Sequence, residues 1–110
     1  MCDKEMYEKL DRILALKVRL QSHIYTTNGK REYRKYLATF NYCVNALDTD
    51  YKEIFVETYV KRSFKFWWVD KYCKSSFYRK RIKAIYSFVL LFEMIYENFY
   101  HFSRNIYRSF

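Results

Sequence analysis

Proline is missing from this 110-residue chain, and glycine occurs once, at Gly29. Helix interiors exclude proline and disfavour glycine. Tight β-hairpins, by contrast, need turn residues with special backbone angles that are scarce here. The chain therefore reads as almost wholly α-helical. Hydrophobic residues make up 51% of it, which is enough to build a core. Rings are unusually dense, with 13 Tyr and 10 Phe. Tyrosine is amphipathic, so many of these rings suit half-buried positions.

Periodicity divides the chain. Met6, Leu10, Ile13, Leu14, Leu20 and Ile24 recur at three- and four-residue steps, which predicts a first helix from Asp3 to about Thr27. Asp3 and Glu5 fall in its first turn, where acids suit the helix dipole. Thr26-Thr27-Asn28-Gly29 reads as a stop. A second helix, from about Lys30 to Leu47, carries Tyr33, Tyr36, Leu37, Phe40, Val44 and Leu47 inward and closes an N-terminal hairpin over residues 1–47. Asp48-Thr49-Asp50 breaks the pattern again, and Asp50 with Glu53 has capping-box spacing. A third helix is expected from Tyr51 to about Arg62. Ser63 is placed to cap a short fourth helix bearing Phe64, Trp67, Trp68 and Val69. After a turn near Asp70–Lys74, a long last helix starts near Ser75. Its 3-4 stripe runs Tyr78, Ile82, Ile85, Val89, Phe92, Tyr96, Phe99. That is a coiled-coil-like seam, and Val89, Phe92, Tyr96 and Phe99 are its expected oligomer contacts. Residues 48–110 are expected to form one compact unit with the hairpin.

Charge is concentrated as well. The net charge is +9, and six of those charges come from Lys71, Lys74, Arg79, Lys80, Arg81 and Lys83, in a stretch without an acid. Such a cluster attracts phosphates through Coulomb forces and counterion release. Ser75 and Ser76 stand at the start of the helix, where short polar side chains reach phosphate oxygens or base edges. The succession of supporting helix, short helix, turn and basic helix is a helix-turn-helix pattern. Tyr59-Val60, Ser75, Phe77-Tyr78-Arg79 and Ala84, within the run WWVDKYCKSSFYRKRIKA at 67–84, resemble phage-type transcriptional regulators of the ArpU/RinA group, which are similar to region 4 of bacterial sigma factors. The likeness covers residues 51 to about 92. The turn lacks the glycine common in that pattern, and Trp67 and Trp68 stand where small residues are usual. The resemblance implies a helix-turn-helix of sigma-region-4 type and a DNA-binding transcription regulator, sigma-like or a phage-type activator, that contacts RNA polymerase. Its DNA face is expected to comprise Lys74, Ser75, Ser76, Tyr78, Arg79, Lys80 and Lys83. The competing class is an oligomeric helical interaction protein whose basic patch binds another anion, a nucleotide or an acidic partner.

Other chemistries find little support. His23 and His101 have no Cys or carboxylate at ligand spacing, so neither a metal nor another cofactor is expected. No phosphate loop or nucleophile motif occurs, and no enzyme is read. The odd set Cys2, Cys43 and Cys73 points to a reducing cytosol rather than to a disulfide framework. The apolar run Ile85–Tyr96 contains Glu93 and falls short of the ~18–20 residues of a membrane span. The partners expected are double-stranded DNA, RNA polymerase and a second copy of the chain, with no membrane.

Overall fold

Residues 3–96 are described in the computed structural model, and they are helical throughout apart from short connections and one long run of turns. The helices are α1 (Asp3–Ser22), α2 (Thr27–Asn45), α3 (Thr49–Phe55) and α4 (Lys74–Ile95); a π-helical turn, Val56–Val60, extends α3. Phe99 and His101 lie outside the described residues.

The α1 stripe forms as its spacing predicts. Met6, Leu10, Ile13 and Leu20 are buried, joined by Leu16. The expected stop at 26–29 is instead the start of α2. Thr26 is its N-cap and accepts the Gly29 N–H at 2.9 Å. Gly29 is there for room, since its φ is not positive. A Cβ at this position would lie 1.7 Å from the His23 carbonyl oxygen.

Two expectations about the middle of the chain fail for identifiable reasons. Asp50 and Glu53 do not form a capping box. Glu53 accepts from Lys71 Nζ at 3.0 Å and from the Tyr72 hydroxyl at 2.9 Å, and Asp50 accepts from Lys80 Nζ at 2.7 Å. The short helix over Ser63–Val69 does not form either; residues 61–73 are bends and turns. The Ser63 hydroxyl donates to Glu57 and is not free to cap. Trp68 stacks on Phe77, with centroids 4.4 Å apart and planes 7° from parallel, and Trp67 and Tyr72 meet the same ring edge-on or tilted. Ring packing on α4 thus decides this segment over local helix propensity.

The main core is an aromatic ladder between α2, α3 and α4. Tyr36 meets Phe92 and Tyr96, Phe40 meets Phe88, and Phe55 meets Phe88 at 4.4 Å. The order of these pairs makes α2 antiparallel to α4. The Tyr36 hydroxyl is buried and donates to the Ile13 carbonyl at 2.7 Å, which pins α2 to α1. Each fully buried ring contributes about 1.5–3 kcal/mol. This ladder corrects the expected oligomer seam. Val89, Phe92 and Tyr96 are 0%, 0% and 1% exposed within a single chain, so they are intramolecular core and offer no surface to a second copy. Ile85 is buried as expected, whereas Ile82 is only half-buried.

Candidate nucleic-acid interface

The basic residues that the sequence groups together are sorted by the structure into three sets. Helical geometry puts residues four apart on one face. Ser75, Arg79 and Lys83 therefore line one stripe of α4, and all three are exposed. Lys74, exposed at the first position of the helix, stands four residues before Tyr78 and so starts the neighbouring face. Among the described residues, Lys74, Arg79 and Lys83 make no ion pair.

The second set is neutralised by α3. Lys80 pairs with Asp50 at 2.7 Å and sits 5.2 Å from the Tyr72 ring; Lys71 pairs with Glu53 at 3.0 Å. Burial, together with the Glu53 hydrogen bond and charge, raises the pKa of the Tyr72 hydroxyl. Tyr72 thus remains a donor that holds Glu53 in place between the loop and α3.

The third set is turned inward. Arg81 donates from Nη2 to the Tyr7 hydroxyl at 3.0 Å and lies against the Tyr7 and Tyr78 rings, at 5.5 and 5.1 Å. Burial opposes its charge, but the Tyr7 hydrogen bond helps to hold its pKa above the ordinary value. Among the described residues, no carboxylate pairs with it. Its Nε, and Thr58 Oγ1 nearby, are closed to solvent and have no hydrogen-bond partner among the described residues. Leaving such a group unsatisfied costs about 1–3 kcal/mol. Tyr78 is 43% exposed and belongs with this set rather than with the outer stripe. Ser76 is half-buried. The predicted DNA face is therefore split: Ser75, Arg79 and Lys83 stay together, while Lys80 turns to one flank and Lys74 and Tyr78 to the other.

Cys73 stands at the N-cap of α4, and its thiol is exposed. The backbone N–H of Ser76 lowers its pKa most, followed by the Ser75 hydroxyl, and the Arg79 charge adds to both. The electrostatics that favour a thiolate here also favour a phosphate oxygen.

A second basic concavity, of about 440 Å³, is lined by Thr27, Lys30, Arg31 and Arg34 at the start of α2. Sequence reasoning passed over it, although the run KREYRK at 30–35 would have shown it. Because α2 is antiparallel to α4, this patch lies at the opposite end of the bundle from Lys74.

Neither a protein-family model, nor a curated protein, nor a solved structure matches this chain. Among the described residues, no cluster of three or more His, Cys, Asp or Glu side chains can hold a metal ion, and no helix is long and apolar enough to cross a membrane.

Proposed function

We propose that this chain binds duplex DNA through the first three turns of α4 and acts as a transcription regulator. The observation that carries the reading is the exposed stripe of Ser75, Arg79 and Lys83, with Lys74 exposed at the helix start beside it. It lies on a helix with no acid before Glu93, at a helix start where backbone N–H groups favour anions. A helix whose first turns are exposed and basic suits the major groove, with the lysines and Arg79 on phosphates and Ser75 near the base edges. The contact with RNA polymerase rests on the sigma-like resemblance alone.

The second reading is the interaction protein whose basic end takes another anion. One observation favours it: residues 61–73 form turns where a helix-turn-helix has its short helix. Selection from a random duplex pool, followed by fluorescence anisotropy on the selected site, separates the two. The DNA reading expects one preferred sequence, salt-sensitive binding, and weaker binding by the Arg79→Ala, Lys83→Ala double variant. Undiminished DNA affinity in that variant, with its helical circular dichroism intact, ends the proposal.

A further inference from the structure

Beside the outer stripe, α4 forms one wall of a cleft of about 250 Å³, closed by the π-helical turn and the loop that follows it. This is smaller than the ~300–1,000 Å³ pockets that take drug-sized ligands, so it fits a molecule of one or two rings. Its walls combine three chemistries. Phe64, Trp67 and Tyr78 supply rings, with Phe64 73% and Tyr78 43% exposed. Arg81 and Lys65 supply positive charge, and no acid lines the cleft. Thr58 and Ser63 supply hydroxyls.

Two features show that the arrangement is more than a gap between side chains. Both buried polar atoms that lack a partner among the described residues, Arg81 Nε and Thr58 Oγ1, belong to this one cleft. Buried polar groups in folded proteins are nearly always satisfied, so two exceptions on residues lining one cleft call for an explanation. The backbone of the cleft is also irregular. The wide turn Val56–Val60 carries Thr58 into the wall, and Arg62 adopts φ 52 just before the loop begins. Single π-turns and left-handed non-glycine residues both cluster at functional sites.

We propose that this cleft binds a planar aromatic ring bearing an anionic group, a carboxylate or a phosphate. The anionic oxygens meet the Arg81 guanidinium, which lines that end of the cleft; a guanidinium fork matches both oxyanions. The ring lies against Tyr78 and the indole of Trp67. Glu57, which holds the Ser63 hydroxyl, is itself paired with Lys61 at 3.2 Å and so does not compete for Arg81. The proposal does not depend on DNA binding, because Arg79 and Lys83 lie outside the cleft.

The chain has two tryptophans, Trp67 and Trp68, and both line the cleft, so intrinsic fluorescence reports on it directly. The full chain, without DNA, is titrated with benzoate, phenyl phosphate, benzyl alcohol and inorganic phosphate, with excitation at the red edge of the indole band. Benzoate or phenyl phosphate is expected to give a saturable change, about tenfold or more tighter than benzyl alcohol or inorganic phosphate, as loss of a charged hydrogen bond implies. Whichever of the two binds better identifies carboxylate or phosphate as the natural group. Tyr78→Ala, at a partly exposed helical position, should weaken the tighter probe while leaving circular dichroism unchanged. Arg81→Lys should weaken it too, because it keeps the charge but loses the fork. Equal binding of benzyl alcohol, equal binding of inorganic phosphate, the absence of any saturable response, or full affinity in Tyr78→Ala each overturns the proposal.

Discussion

The sorting of the basic residues makes a quantitative claim about salt. Each phosphate neutralised by a lysine or arginine contributes about −0.9 to the slope of log affinity against log salt concentration. Six engaged cations on the 71–83 segment would contribute about −5.4, whereas the three unpaired ones, Lys74, Arg79 and Lys83, contribute about −2.7. Lys80 tests the difference. It pairs with Asp50 at 2.7 Å, and its side chain is 27% exposed. Exposed pairs of this kind are weak, so a phosphate can draw Lys80 away. Asp50 is then left uncompensated and attracts a counterion of its own, which nearly cancels the release. Lys80→Ala should therefore leave the slope close to wild type, and Lys83→Ala should flatten it by about 0.9. Asp50→Asn should steepen it by a similar amount, because Lys80 becomes free for phosphate. Fluorescence anisotropy on one labelled duplex over a range of salt concentrations measures all three. The reasoning is refuted if Lys80→Ala flattens the slope as much as Lys83→Ala does, or if Asp50→Asn leaves it unchanged.

Three further outcomes are expected. Burial raises the pKa of Tyr36 and Tyr96 well above 10, and pushes Tyr59 up to about 12. The folded state thus holds these phenol protons more tightly than the unfolded chain. The stability they give is complete below pH 10 and is lost as pH rises above it, by about 1.4 kcal/mol per pH unit for each fully buried ring. Helical circular dichroism should collapse in step with a late phase of phenolate absorbance; smooth ionisation of every tyrosine with the helices intact contradicts this. Burial pushes the Cys43 thiol up to about 11, whereas Cys73 is exposed and its pKa is lowered. Peptide mapping after brief iodoacetamide treatment at neutral pH should find Cys73 modified long before Cys43, and equal rates would disprove the assignment. Val89→Asp or Phe92→Asp places an unpaired carboxylate in the aromatic core and should abolish helical circular dichroism. A folded variant of either kind would show that these residues are not core.

The helical class was legible because proline and glycine are nearly missing, and α1 because one stripe serves one partner face. What failed depended on contacts that form only once the chain has folded. Gly29 looks like a helix stop, but the His23 carbonyl that excludes any side chain there becomes its neighbour only once the turn has folded. Ser63 looks like a cap until Glu57 takes its hydroxyl. Trp67 and Trp68 have helical spacing, yet Phe77 draws them into a cluster that no local pattern encodes. Of the site, the position of the basic segment was readable from composition. Its division was not, because Asp50 is thirty residues from Lys80 and Tyr7 seventy-four from Arg81. The stripe from Tyr78 to Tyr96 reads equally well as a seam or as core. Only the facing rings Tyr36, Phe40 and Phe55 decide for core.

The tie between α1 and α4 also bears on the order in which the molecule is made. The Tyr7 hydroxyl holds Arg81, Lys9 pairs with Glu93 at 3.1 Å, and Asp3 accepts from the Tyr86 hydroxyl. A ribosome emits α1 and α2 before α4, and these can close on each other through Tyr36 and Ile13. The outward faces of Tyr36 and Phe40 then wait, uncovered, for Phe88, Phe92 and Tyr96, which emerge later. Until α4 emerges, this part of the nascent chain is therefore a hairpin with an open aromatic flank, and that flank is where a chaperone or a premature neighbour would meet it.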